Sequence, residues 1–221
     1  MKEISMMISE NFAVDEADDF REKLNHLKVV NKKSDENKVI THEDNVHLER
    51  LYLSWPTGKA YSEDDAALDI LSDLLTGSKN SRLYKTLVFQ KEIAQDISAF
   101  QFSGKYAGHF TIVGTAKPGY TLNEIKSDIF KEINNIKANG ISSKELHRSK
   151  IGIKSSFVFS LQNLDSIADH LNSYNFYLNE PNSFSFDLNR YDKVTTEEIN
   201  NVSEKYLSKP FVELRIIPKS S

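Results

Sequence analysis

The sequence predicts an α+β fold, an antiparallel sheet with helices packed on one face. Three observations carry that expectation. Residues 93–102 and 108–116 are β-type stretches on either side of the polar turn SGKYAG, and they read as a hairpin. The helical patterns come in blocks and do not alternate one by one with strands, which argues against a doubly wound parallel sheet. The 221 residues are 39% hydrophobic and 27% charged, a balance that can bury one large core.

Each element has its own local reason. Residues 4–8 are apolar and read as a strand. Asp15 can cap a helix running to about residue 27, with Ala17, Phe20, Leu24 and Leu27 on one face. A strand and a helix alone are too small to fold, so residues 1–30 read as the tail of a preceding domain. Residues 31–47 are mostly polar and have the composition of a linker. The main domain is expected over 48–221. Its first strand, 48–55, puts Leu51 and Leu53 on one face and Tyr52 on the other, and Pro56 and Gly58 end it.

Ser62 and Asp65 form a cap-like S-x-x-D pair. The helix after them buries Ala67, Ile70, Leu71, Leu74 and Leu75 and stops at Gly77. A short SKN loop leads into a second helix, 81–91, and then the hairpin follows. After the Pro118-Gly119 turn, Leu122, Ile125, Ile129, Ile133 and Ile136 mark a helix ending at Gly140. Ser142 with Glu145 is a capping box that opens a long helix to about residue 178, with Gly152 and Ser155-Ser156 as places to bend. Residues 179–186 read as loop. Thr195 and Glu198 open a helix to residue 207, and 212–217 is a closing strand.

Composition excludes several functions. The net charge is -4 and no long basic stretch occurs, so a general nucleic-acid surface is not expected. No apolar window of about 18 residues exists to span a membrane. The absence of cysteine removes disulfides, thiolate metal sites and cysteine nucleophiles together. Bacterial cytoplasm and periplasm both stay open.

The chemistry-bearing residues do not assemble into a catalytic motif. The histidines are His26, His42, His47, His109, His147 and His170. A zinc H-x-x-E-H needs two histidines on one helical face with a carboxylate between them as base, and no pair here has that spacing. His42-Glu43 and His47 form only H-E-x-x-x-H, which puts the rings on different faces of a helix or a strand, so they read as solvated loop residues. There is no G-x-S-x-G elbow and no Walker loop. The turn GSKNSR, Gly77 to Arg82, could present amides and cations to an anion or a peptide carbonyl, or it could simply connect two helices. Glu63-Asp64-Asp65 lies where a helix's first turn favours negative charge.

From Leu51 onward the chain resembles the C-terminal-type, non-catalytic domain of the M16 (insulinase/pitrilysin-like) zinc peptidases. LYLSWPT, AYSEDDAALDILSDLLTGSKNSRLYKTLV, KEIAQDISAFQ, SSFVFSLQNLDSIADHL and VTTEEINNVSEKYL carry the resemblance, over about residues 48–218. The opening MMISENFAVDEADDFREKL is similar to the last strand and helix of the family's preceding domain.

The resemblance implies the M16 peptidase/LuxS-like metallohydrolase fold, in paired halves that close around a peptide. It implies no catalytic or metal-binding residue in this chain, no cofactor held here, and zinc in a preceding zinc-bearing domain or partner subunit. In the family, an arginine and a tyrosine that contact substrate follow S-R-L. Here S-R-L is Ser81-Arg82-Leu83, and the matching positions are Val88 and Gln95, so that pair is not carried over. Arg82 is the remaining candidate for substrate binding, with structural anchoring as its alternative role. Three functions follow as expectations: a lobe that encloses and positions peptides for another domain's zinc-dependent hydrolysis, an inactive scaffold or partner subunit, or a peptide- or anion-binding module.

Overall fold

The computed structural model of the chain describes residues 35–219 together with Met6. The chain divides into Met1–Lys33 and Ser34–Ser221. The strand and helix expected over 1–30, and His26, lie outside the described residues.

The second unit is an α+β fold. Its strands are β1 (Lys38–Asp44), β2 (Arg50–Thr57), β3 (Ala94–Ser103), β4 (Gly108–Ala116) and β5 (Val212–Pro218). Its helices are α1 (Asp65–Thr76), α2 (Leu122–Asn139), α3 (Ser143–Ser160), α4 (Leu164–Leu178), α5 (Phe184–Lys193) and α6 (Thr196–Leu207). The strands form one sheet in the order β1-β5-β2-β4-β3. Three neighbouring pairs are antiparallel, and β1 runs parallel to β5.

The period-two pattern of β2 decides which face is covered. Leu51, Leu53 and Trp55 have no solvent exposure, and their cross-strand partners Gly114, Ile112 and Phe110 continue the same face across β4. Against it pack Ile70, Leu71, Leu74 and Leu75 of α1, Ile125, Ile129, Ile133 and Ile136 of α2, and Ile199, Val202 and Leu207 of α6. Each fully buried Ile or Leu contributes about 1.5–3 kcal/mol relative to exposure. The opposite face carries Tyr52 and Ser54 on β2 and the exposed Phe100 and Phe102 on β3.

Gly114 is small for a packing reason. A Cβ there would stand 3.1 Å from both Ile125 and Ile97 side-chain carbons, so the glycine lets α2 approach the sheet. Gly140 has φ 69° and ends α2, a conformation that favours glycine over residues with a Cβ.

Five expectations need correction. The polar stretch 31–47 is not linker throughout, because residues 38–44 form β1. All seven residues of β1 are exposed, so the strand needs no apolar face and its composition hides it. The helix expected over 81–91 is π-helical from Tyr84 to Gln90, shown by the Lys91 amide donating to the Thr86 carbonyl at 2.9 Å.

Asp64, not Ser62, is the N-cap of α1, and the Asp65 carboxylate instead accepts from the Tyr61 amide at 2.9 Å. The long helix breaks at Leu161–Asn163 and not at Gly152, because the Asn163 side chain accepts the Asp165 amide at 2.9 Å and starts α4. The loop 179–186 gives way to α5 at Phe184. The fully buried residue of that helix is Asp187, and its apolar row, Phe184, Leu188 and Tyr191, is partly buried and too short to stand out in the sequence. The capping boxes at Ser142/Glu145 and Thr195/Glu198 are formed as the spacing predicts.

Candidate functional site

Arg82 stands where the GSKNSR turn enters the π-helical segment. The turn itself is closed by local bonds. The Ser78 amide donates to Ser81 Oγ at 2.9 Å, and that hydroxyl donates to the Asp73 carbonyl at 2.9 Å. This fixes the direction of Arg82 toward α2 and α3. Its Nε and Nη2 donate to the two Glu145 oxygens at 2.8 and 3.1 Å. Nη1 reaches Glu132 at 3.0 Å, and Nη2 also reaches the Gly140 carbonyl at 3.3 Å. This is the fork geometry in which arginine binds a carboxylate through two bonds. The Arg82 bonds, together with those from Ser142, hold the Glu145 carboxyl down at about 2 against the opposing effect of burial.

Arg82 lines a cleft of about 310 Å³ with Asn80, Lys85, Thr86, Gln90 and Glu132 among its walls. A second cleft of about 370 Å³ lies nearby, lined by Lys91, Asn123, Glu124, Asp128 and Lys131. There Lys91 Nζ donates to both Asp128 oxygens at 2.8 and 2.7 Å. Of the positions aligned with the family's arginine and tyrosine, Val88 packs against the core and Gln95 is exposed on β3.

The structure does not bring the histidines together. His42 lies on β1 and His47 in the bend after it. His109 stacks on Phe102 of β3, with centroids 5.1 Å apart. His147 is on α3. His170 of α4 packs among Phe157, Tyr174 and Phe184 and meets Ser160 Oγ at 3.2 Å. Among the described residues no three His, Asp or Glu side chains are grouped to hold a metal ion. These residues do not fit a zinc centre.

One polar cluster was not legible in the sequence. It joins α1 to α5. Arg190 donates to Asp65 at 3.0 Å and to Asp187 at 3.1 and 2.6 Å, and its guanidinium lies over the Tyr61 ring at 4.6 Å. Asp65 also accepts from Ser103 of β3, and Asp187 from the Tyr174 hydroxyl of α4 at 2.9 Å. The Tyr191 hydroxyl donates to Asp69 at 2.8 Å.

Burial, and then the neighbouring Asp65 carboxylate, raise Asp69 to about 7, although Tyr191 and Arg190 pull the other way. Burial raises Tyr61 to about 12. Burial disfavours charge on Arg190, but its bonds to Asp187 outweigh that and raise it. The pair Asp65 and Asp69, one helical turn apart, was the signal available in the sequence. Its partners Asp187, Arg190 and Tyr191 sit on a short helix whose apolar row is only Phe184, Leu188 and Tyr191.

The sequence profile of the family described as "Peptidase M16 inactive domain" matches residues 2–153. The chain is 27% identical over 129 residues to the zinc protease PqqE of Helicobacter pylori, covering 58% of this chain and 29% of that protein. It is 25% identical over 154 residues to the uncharacterized zinc protease YmxG of Bacillus subtilis, covering 70% of this chain and 37% of that protein. The chain therefore spans well under half the length of these relatives. The crystal structure of a protease from Helicobacter pylori superposes with a TM-score of 0.77 at 21% identity, over 84% of this chain and 45% of that one.

Proposed function

Because the chain belongs to the peptidase M16 inactive-domain family, we propose that it is the non-catalytic lobe of an M16-type zinc peptidase. In this reading it helps to enclose and position peptides while a zinc-bearing domain or partner subunit hydrolyses them. The family match over residues 2–153 carries the reading. A further observation supports it: both curated relatives are zinc proteases in name and longer than this chain. The metal and the base that activates water would then come from the other domain. Residues 1–30 are read as the tail of that preceding domain.

Arg82 is read as a positioning residue. Its donors point at Glu132, Glu145 and the Gly140 carbonyl, so it shapes the wall of its cleft, and a peptide would meet its outer edge.

The test is reconstitution. The chain is purified alone and together with the H-x-x-E-H-bearing half from the same gene or operon, and cleavage of a quenched fluorescent peptide library is followed with zinc content. Activity and stoichiometric zinc are expected only with the partner half. Peptidase activity with tight zinc in the isolated chain would sink the proposal.

A second reading, an inactive scaffold subunit, is favoured by Val88 and Gln95 standing where the family carries its substrate-contacting pair. It predicts that the partner half cleaves equally well without this chain's clefts, so that charge reversal at Lys85 or Lys91 leaves KM unchanged.

A further inference from the structure

α5 is fastened to the domain by a charged cluster as well as by apolar packing. Its buried residue is Asp187. Phe184 packs on Phe157, His170 and Tyr174, Tyr191 reaches the core's edge, and Arg190 and Tyr191 bond to α1. Around Arg190 stand three carboxylates: Asp65 and Asp187, which it contacts, and Asp69, which lies one turn along α1 and is bonded through Tyr191. If all three ionise, one guanidinium faces three negative charges in a largely enclosed site. Like charges at such distances in a low-dielectric setting repel strongly, and a single proton halves the excess negative charge.

We propose that Asp69 is the proton-bearing member of a pH-sensitive clasp that fastens α5 to α1, tightening on proton uptake and loosening on proton release.

The surroundings identify which carboxylate carries the proton. Asp65 takes hydrogen bonds from Arg190, the Tyr61 amide and Ser103. Asp187 takes them from Arg190 and Tyr174. Asp69 takes a single one, from the Tyr191 hydroxyl. It is therefore the carboxylate whose charge is least compensated.

The charged and titratable groups around it can be named element by element. On α1 itself are Asp65 and Asp73, the latter bonded by Ser149 of α3. On α5 are Asp187, Arg190, Tyr191 and Asp192, and Asp192 is held by Lys154 and Lys150 of α3. Tyr174 of α4, with His170 stacked on it and against Phe184, and Tyr61 close the far side. Lys205 of α6 is engaged with Asp64 at the other end of the α1 first turn. Lys150, Lys154 and Lys205 are thus engaged with other acceptors, Lys193 lies exposed at the end of α5, and Arg190 is the cation bonded to Asp65 and Asp187.

The sign follows from the shift to about 7. The folded state holds the proton more tightly than the unfolded chain does, so this group's contribution to stability grows as pH falls from above 7 toward the ordinary aspartate range. That is opposite to the usual effect of a paired carboxylate.

The test is amide hydrogen exchange on the full chain at pH 6 and pH 8.5, expressed as protection factors so that intrinsic exchange rates cancel. Protection of residues 184–193 is expected to drop by about tenfold at the higher pH in the wild type while α2 stays constant. In Asp69→Asn it should be the same at both pH values. Equal protection of the wild type at both pH values, or an unaltered drop in the variant, overturns the proposal. Should Asp69→Asn fail to fold, the Asp69 carboxyl is titrated by carbon NMR in the wild type and in Tyr191→Phe. A midpoint near 7 that moves upward on loss of the tyrosine hydroxyl supports the clasp, and a midpoint below about 5 overturns it.

Discussion

Replacing Arg82 by alanine removes a two-bond contact with Glu145, a bond to Glu132 and a bond to the Gly140 carbonyl. The Arg82, Glu132 and Glu145 side chains are 17%, 19% and 24% exposed, so the carboxylates left behind can recover part of their hydration. Breaking a fully buried pair costs about 3–5 kcal/mol, and this degree of exposure reduces the expectation to about 2 kcal/mol.

A second route gives a similar value. The shift of Glu145 from 4.5 to about 2 corresponds to roughly 3 kcal/mol. Part of that belongs to the Ser142 cap and part is screened by solvent, leaving about 1.5–2 kcal/mol for Arg82. Because the carboxyl is lowered on folding, its contribution is fully present above pH 4.5 and is lost as pH falls toward 2.

Urea unfolding, read from the sole tryptophan, the buried Trp55, should therefore show a loss of about 2 kcal/mol at pH 7. The gap between wild type and variant should narrow by roughly 0.5–1 kcal/mol at pH 3. A double-mutant cycle of Arg82→Ala with Glu132→Gln should give a coupling of at least about 0.5 kcal/mol. A loss below about 0.5 kcal/mol at pH 7, the size of an ordinary surface substitution, or a loss independent of pH, would refute the anchoring role.

Other substitutions probe other levels of the fold. Ile129→Ala, at a position with no exposure between α2 and the sheet, should cost about 2–5 kcal/mol in the same urea experiment. Gly114→Val should cost at least about 1–3 kcal/mol, because its side chain would press on Ile125 and Ile97; thermal melting reads the loss. Thr195→Ala removes the acceptor for the Glu198 amide at the start of α6 and should lower stability by about 1 kcal/mol, with helix content by circular dichroism otherwise unchanged.

The parts of the fold that announced themselves in the sequence are those held by repetition. The isoleucines of α2 recur at helical spacing, β2 alternates apolar and polar residues, and Ser142 and Thr195 stand three residues before their glutamates. Each of these patterns is a one-dimensional record of one buried face or one satisfied helix end. β1 left no such record, and α5 left only the short row Phe184, Leu188 and Tyr191. β1 is exposed on both faces, and α5 is fixed by Arg190, Asp187 and Tyr191, partners that become neighbours only after α1 has folded. The break before Leu164 was equally hidden, because the side chain of Asn163 and not a glycine starts the second helix.

The candidate site divides in the same way. Arg82 was visible through its S-R-L context, but its carboxylate partners lie 50 and 63 residues away, beyond the reach of spacing arguments. The family resemblance supplied the fold and left the role of the individual side chains to geometry.

The parallel pairing of β1 with β5 has a consequence for the order in which the domain assembles. Asn37, just before β1, accepts a hydrogen bond from the Phe211 amide across 174 residues of chain, whereas β3 and β4 are joined by a short turn. Closing a loop of that length costs entropy before any contact rewards it. The hairpin can form early, but β1 has no place to dock until β5, the last of the described strands, has come to lie beside β2. During synthesis on the ribosome, residues 38–44 would therefore wait unpaired until nearly the whole domain had emerged. One edge of the sheet would be finished last, by the earliest of its described strands.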